Sequence, residues 1–234
     1  MEFRCYSSFF SLTLHMVAGF LTCALLSSCV KGDDDDSPQR SFITFFNAAE
    51  GQQGDVLFYI EGSAVRTGAL PSDSNSTYNQ VYAGSRLFQV APAAQNLSAL
   101  LAESREDLTA NKYYSCFLTG SSAQHGLVFC EDSFAGRDST GKARVRFINI
   151  SSNADKLDLN LERGKKLFAE QVQNQMSGWA YVDTTRHLVA IYKSGEPKVK
   201  LDSINIHPRD GAFYTLYLRK QGDKHKLVSR LIIR

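Results

Sequence analysis

Neither sign of charge dominates this chain, which sets 26 Lys and Arg against 24 Asp and Glu over 234 residues. A formal charge of +2 with 21% charged residues excludes a disordered polyelectrolyte and a histone-like basic protein. Catalytic signatures are missing as well: there is no P-loop, no G-x-G-x-x-G and no G-x-S-x-G nucleophile elbow. Beyond residue 29 only two thiols remain, Cys116 and Cys130, and Trp179 is the sole tryptophan, so the Cys–Trp–Cys core of antibody domains is absent. Past residue 28 no stretch approaches the ~18 consecutive apolar residues of a membrane span, which places the body of the protein outside the membrane. What is present is 43% hydrophobic residues, enough for a packed core, in a length that allows one large domain or two small ones.

Residues 1–28 read as a lipoprotein signal peptide. An apolar stretch from Phe9 to Leu26 follows Arg4 and ends at Leu26-Ser27-Ser28-Cys29. Leucine at −3, small side chains at −2 and −1, and cysteine at +1 form the pattern that lipoprotein signal peptidase cleaves, here between Ser28 and Cys29. Cys23 fits less well, because Phe20 occupies its −3 position. Removing 28 of 234 residues leaves a 206-residue mature chain with acylated Cys29 at its N-terminus. At ~0.8 kcal/mol per buried CH₂, several acyl chains make a stable anchor in membrane lipid. Residues 29–40 carry four contiguous aspartates, Asp33–Asp36, which repel one another and read as a solvated tether. Calcium loops alternate their acidic ligands with other residues, so this run is not read as a metal site. Lys31 followed by acidic residues just after the lipid cysteine resembles the signal that sends lipoproteins of the Bacteroidota to the outer face of the outer membrane. That resemblance implies surface exposure, with a periplasm-facing position as the alternative.

Past the tether the chain repeats itself at a spacing of about 100 residues. Phe42–Ala48 is echoed by Arg144–Ile150, Val56–Gly62 by Leu157–Gly164, Tyr113–Leu118 by Phe213–Leu218, and Leu127-Val128 by Leu227-Val228. Four correspondences in one order at nearly constant offset predict two copies of one domain, residues 41–135 and 136–234. Both copies read as β. Segments 41–48, 55–61, 85–91, 112–119 and 126–131 are short, rich in β-branched and aromatic residues, and bounded by Gly, Asn, Asp and Ser. Their counterparts are 143–150, 156–162, 186–192, 211–219 and 225–233, and weaker strands fall near 78–82, 97–103, 178–182 and 197–204. About seven short strands per copy predict an all-β fold of two tandem immunoglobulin-like antiparallel β-sandwiches.

The second copy carries Val145-Arg146-Phe147-Ile148-Asn149-Ile150-Ser151 and Leu157-Asp158-Leu159-Asn160-Leu161; the first keeps Phe45-Phe46-Asn47-Ala48 and Val56–Gly62. With Tyr214-Thr215-Leu216 near the end, these resemble V-R-F-x-N-A-S, V-D-V-Y-x-x-G and Y-T-V in a bacterial domain-of-unknown-function family of tandem sandwich repeats, many of them in lipoproteins. The resemblance covers nearly all of residues 41–234. It implies a fold and an envelope location, and no activity.

Candidate chemistry is sparse. His125, His187, His207 and His225 stand in or beside turns with no metal-ligand spacing, so neither metal nor cofactor is expected. Glu103, Glu106 and Asp107 read as a solvated strand end, and Asn47, Asn149, Gly62 and Gly164 as turn residues. Cys116 and Cys130 lie equidistant from residue 123 on a predicted hairpin, so they could face one another as a disulfide, or stay as two reduced core thiols. Tyr78, Tyr82, Trp179 and Tyr181 are the candidates for ligand contact as stacking platforms, against ordinary packing. The copies differ in charge: residues 41–135 hold 4 basic and 9 acidic side chains, a net of −5, whereas residues 136–234 hold 19 and 10, a net of +9. They should attract one another, setting an end-to-end arrangement or an association between molecules. The expectation is a non-catalytic, lipid-anchored surface protein acting as a structural or adhesive module, with a carbohydrate-binding lipoprotein of a glycan-uptake system as the alternative. Partners would be a glycan or an envelope protein, and not nucleic acid.

Overall fold

The structure is a computed structural model, and it describes residues 39–50, 54–121, 124–134, 140–152, 156–161 and 165–232. The signal peptide, Ser28, Cys29, the aspartate run and Gly164 lie outside the described residues. In the first copy the strands are β1 (Arg40–Asn47), β2 (Val56–Ile60), β3 (Ser63–Ala64), β4 (Asn79–Tyr82), β5 (Gly84–Pro92), β6 (Ala102–Leu108), β7 (Tyr113–Ser121) and β8 (Gln124–Asp132). They form two sheets, β4-β1-β7-β8 and β3-β2-β5-β6. In the second copy β9 (Lys142–Asn149), β10 (Lys156–Leu161), β11 (Lys166–Val172), β12 (Ala180–Asp183), β13 (His187–Lys193), β14 (Glu196–Ile206), β15 (Phe213–Gln221) and β16 (Lys224–Ile232) repeat the plan as β12-β9-β15-β16 and β11-β10-β13-β14. Each copy is a β-sandwich.

Pairing is mixed where antiparallel order was expected. β1 runs parallel to β7, and β9 parallel to β15, because β7 and β15 join the first strand of their copy only after the chain has crossed to the opposite layer and back. Residues 97–103 also differ from expectation. Asn96–Ala99 is a 3₁₀ turn and the strand begins only at Ala102, since Asn96 takes a left-handed φ of 51° and the Gln95 amide turns back to the Pro92 carbonyl. β11 was not foreseen. It is an edge strand whose exposed, polar positions and bulges mute the alternation that marks a half-buried strand.

The first sandwich buries Ile43, Phe45, Val56, Phe58, Phe88, Val90, Cys116 and Leu118 between its layers; the second buries Val145, Phe147, Leu157, Leu159, Val189, Ile191, Leu216 and Leu218. A third core lies between the copies, built from Phe46, Ala48, Phe117, Ile148, Ile150, Phe213, Tyr217, Val228 and Ile232. β1, β7, β9 and β15 are therefore buried on both faces: odd-numbered Phe45 and Phe147 enter a sandwich, while even-numbered Phe46 and Ile148 enter the interface. The two β1-type sheets face one another, so the copies pack face to face rather than end to end. Residues Gln39–Arg234 make one compact unit.

Each copy also carries a tyrosine corner. The Tyr114 hydroxyl accepts the Thr109 amide at 3.0 Å and the Tyr214 hydroxyl accepts the Arg209 amide at 3.3 Å, tying the turn before β7 and before β15 to the strand that follows, as in immunoglobulin-like sandwiches.

Candidate functional site

Two of the four candidate platforms are spent on packing. Tyr78 and Trp179 precede β4 and β12 at matching positions, and both lie against the core between the copies. The Trp179 indole N–H donates to the Ser133 carbonyl at 2.6 Å, and its ring stacks on Phe134 with centroids 6.2 Å apart. Tyr78 meets Tyr113 edge to face and donates its hydroxyl proton to Asp132. Burial first, then the neighbouring Asp132 charge, pushes the Tyr78 phenol well above its ordinary pKa, so it stays a donor.

Asp132, the last residue of β8, is the centre of a buried network that sequence reasoning missed. Its carboxylate pairs with the Arg146 guanidinium on β9, the two side chains being 0% and 2% exposed, and accepts the Ser115 hydroxyl at 2.7 Å. Arg146 reaches Thr215 Oγ1 and Ser115 Oγ, each at 2.9 Å, and its guanidinium lies 4.6 Å from the Trp179 ring centroid. Every polar atom here is matched to a partner of the right kind, which is what allows a charge pair to be buried at all.

Two more acidic groups of the first copy are held by the second. Asp73, in the loop before β4, takes a two-point contact from Arg219 at 2.5 and 2.7 Å and a third from Lys226 at 2.7 Å. Burial would raise the Asp73 pKa, but the hydrogen bonds and charges of Arg219 and Lys226 outweigh it, and the carboxyl is held below its usual value. Glu50 accepts the Ser152 hydroxyl at 2.8 Å, the Ser152 amide at 3.1 Å and the Lys220 amide at 2.9 Å. The opposite net charges of the copies thus meet inside one molecule.

Tyr82 and Tyr181 remain 46% and 40% exposed. Tyr82 lines a groove of about 790 Å³ on the open side of the first sandwich, between β4 and the β2–β3 hairpin. The Arg40 guanidinium stacks 3.7 Å from its ring centroid. Arg86 is fixed to the rim by the Tyr82, Ala83 and Ser85 carbonyls at 3.1, 2.7 and 3.1 Å, and Arg66 stands exposed on the same wall. The groove floor is Ile60, Val65 and Val81. On the second copy Asp183 stands where Tyr82 does and Tyr181 where Gln80 does, and the recess there is about 190 Å³, lined by Tyr181, Asp183, Lys142, Lys165 and His187.

The two body cysteines do not face one another. β7 and β8 pair Ser115 with Cys130 and Cys116 with Phe129, one residue away from the register that would set the cysteines opposite, in a ladder that ends at Ser121 opposite Gln124. A one-residue slip in register sends the side chains to opposite faces: Cys116 enters the first core and Cys130 the interface, and both are free. Asn149 accepts the Ser151 amide at 3.2 Å and holds a local turn, whereas Asn47 is not a turn residue of that kind: it donates to the Leu70 carbonyl at 2.9 Å, 23 residues away, and ties β1 to the loop before β4. Gly62 has φ 75°, a left-handed turn position that suits glycine. Glu103 and Asp107 sit on the exposed face of β6, with Gln89 on Glu103, while Ser104 binds Glu106. His187 meets the Asp183 carbonyl at 2.9 Å and His207 is exposed. Among the described residues no group of three His, Cys, Asp or Glu is placed to hold a metal ion.

Residues 41–160, from β1 through the second strand of the second copy, match DUF4397, a domain of unknown function. The chain belongs to the DUF4397 family. No curated protein matches this DUF4397 chain. Among solved structures it is similar to a family 41 carbohydrate-binding module of streptococcal virulence factors, at 10% identity and TM-score 0.26 over 80% of this chain and 96% of that one. It is also similar to a protein of Parabacteroides distasonis named for cell adhesion, at 9% identity and TM-score 0.25 over 83% and 98% of the two chains. The Bacillus anthracis TIE protein aligns at 7% identity and TM-score 0.23; the match covers 78% of this chain but only 34% of that one. Scores this low transfer neither topology nor ligand to the DUF4397 chain.

Proposed function

We propose that this DUF4397 protein is a non-catalytic, lipid-anchored cell-surface protein whose paired sandwiches act as one structural and adhesive module. The observation that carries the reading is the use to which its chemistry-bearing side chains are put. Asp132, Arg146, Asp73, Arg219, Glu50 and Trp179, which elsewhere would be candidates for acid–base or binding work, bond the two copies together, and Tyr78 braces Asp132 from within the first copy. A fused body of this kind transmits load and presents its outer faces at fixed geometry. Leu26-Ser27-Ser28-Cys29 supplies the membrane attachment, and the Lys31–Asp36 segment the signal and spacer to the outer face of the outer membrane. Among the described residues no helix is long and apolar enough to cross a membrane.

Replacing Cys29 by Ser tests the anchor. The variant should move from the outer-membrane fraction to the soluble fraction, and on intact cells only the parent protein should be open to added protease. Continued membrane association of Cys29→Ser would refute lipid attachment.

The groove beside Tyr82 favours a second reading, carbohydrate binding within a glycan-uptake system. An exposed ring next to fixed polar groups is the arrangement that stacks on one face of a sugar while hydrogen-bonding its rim.

A further inference from the structure

The first copy is acidic overall, yet its cations are not scattered. Between residues 39 and 134 there are five basic side chains, Arg40, Arg66, Arg86, Arg105 and Lys112, and the first three line the groove beside Tyr82. Arg105 and Lys112 are paired elsewhere, with Glu61 at 3.7 Å and Glu131 at 2.7 Å. Among the described residues, Arg40, Arg66 and Arg86 have no carboxylate partner within ion-pair distance. The one acid on the groove wall, Glu61, already accepts the Leu87 amide at 2.9 Å and faces Arg105. The groove therefore presents three guanidinium charges not balanced by its own lining.

Their setting suits a carboxylate or sulfate on a ring. Arg40 lies over Tyr82 with its guanidinium carbon 3.7 Å from the ring centroid, and a guanidinium held beside a ring can still offer forked N–H bonds to a planar carboxylate. Arg86 is locked by three carbonyls and holds its charge still, while exposed Gln80 lines the same groove. The second copy provides an internal comparison. Strand register puts Arg40 opposite Tyr82 and Lys142 opposite Asp183, so where the first copy has a cation on an aromatic ring the second has a cation 3.9 Å from a carboxylate. The second recess is smaller, about 190 Å³, and its Lys142 faces a carboxylate rather than a ring.

We propose that the Arg40–Tyr82 groove binds an acidic glycan, one bearing uronate or sulfate groups, and that Arg40 and Arg66 select for its charge. This rests on the carbohydrate-binding reading above and narrows it to a substrate class. The test is an array of neutral, uronate-bearing and sulfated oligosaccharides probed with the purified full-length chain in detergent, with poly-glutamate as a non-glycan polyanion. Bonds to charged groups are worth ~1.5–3 kcal/mol each, so Arg40→Gln with Arg66→Gln should weaken acidic-glycan binding about 100-fold or more. Lys142→Gln should leave it unchanged, and raising the salt from 0.15 to 0.5 M should weaken it further. Equal binding of neutral glycans, insensitive to Arg40 and Arg66, would overturn the acidic specificity while leaving the carbohydrate reading intact. Binding to no glycan overturns both, and tighter binding of poly-glutamate than of any acidic glycan overturns the glycan class.

Discussion

Replacing Arg146 by Met strips the cation from a carboxylate that has no access to water. The Asp132 side chain is 0% exposed, and without Arg146 it keeps only the Ser115 and Tyr78 hydroxyls. Removing one member of a buried ion pair costs about 3–5 kcal/mol. Further loss comes from Thr215 and Ser115, which give up bonds of 2.9 Å each, and from the Trp179 ring. With a urea slope of ~2 kcal/mol per M, the unfolding midpoint should fall by about 1.5–2.5 M. The informative comparison is the pair replaced together. Strand register places Asp132 opposite Tyr113 and Ile232 opposite Phe213, so the second copy fills the equivalent site with an apolar residue. Asp132→Ile combined with Arg146→Met should recover most of the loss, because neither charge is left uncompensated. A double-mutant cycle by urea unfolding should then give a coupling of at least ~2 kcal/mol. A single-mutant loss under ~1 kcal/mol, or a double variant as unstable as the two single losses combined, would refute the reasoning.

The Asp73 carboxyl titrates lower in the folded chain than in the unfolded one, so its contribution is complete above about pH 4 and fades as pH falls through the lowered value. Stability of the parent should therefore drop more steeply below pH 4 than that of Asp73→Asn, measured by thermal unfolding at stepped pH. Buried Cys116 is pushed well above its ordinary pKa, and burial pushes Cys130 up to about 11, so both body thiols should resist alkylation at pH 8 until the chain is unfolded. Intact mass after alkylation in denaturant without reductant should show both as modified; a mass two hydrogens short and unmodified would mean that they had bonded. His125 and His225 are lowered by burial, so each favours the folded chain while neutral, and acidification from about pH 6.5 downward should reduce stability gradually. A stability profile flat from pH 7 to 5 would contradict that.

Strands with one wet face were legible from residues alone. Leu157-Asp158-Leu159-Asn160-Leu161 alternates, and β10 occupies Lys156–Leu161. The duplication was legible too, down to hydrogen bonds: Ser76 and Ser177 each accept the amide of the equivalent phenylalanine, Phe45 at 3.0 Å and Phe147 at 2.8 Å. What the pattern concealed was the partner of the second face. Phe42–Ala48 and Arg144–Ile150 do not alternate, because both faces of β1 and β9 are covered, one by the sandwich and one by the other copy. Arg146 inside such an apolar run was a readable sign of a buried ion pair, since an arginine enters a core only with an acid to meet it. That the acid is Asp132 could not be inferred, because the pairing depends on how the two sheets dock.

The groove was half legible. Tyr82 stood among the aromatic candidates, and Arg40, Arg66 and Arg86 were countable as most of the cations in an acidic copy. Strand pairing alone brings them together: β1 lays Arg40 across from Tyr82, and β5 follows β4 after one intervening residue to supply Arg86. Tyr78 and Trp179 fail as platforms for the same reason that hid the interface, for both pack against the core between the copies.

Trp179 is the only tryptophan and stands at the junction of the copies, bonded to Ser133 of the first and stacked over Arg146 of the second. Its fluorescence reports docking, while far-UV circular dichroism reports the strands of both sandwiches. Urea unfolding of the purified chain followed by both signals tests whether the copies form one body. A fused body predicts coincident curves with a single midpoint. A Trp179 transition complete at lower urea, with the strand signal still intact, would show that the copies separate before they unfold and would contradict it.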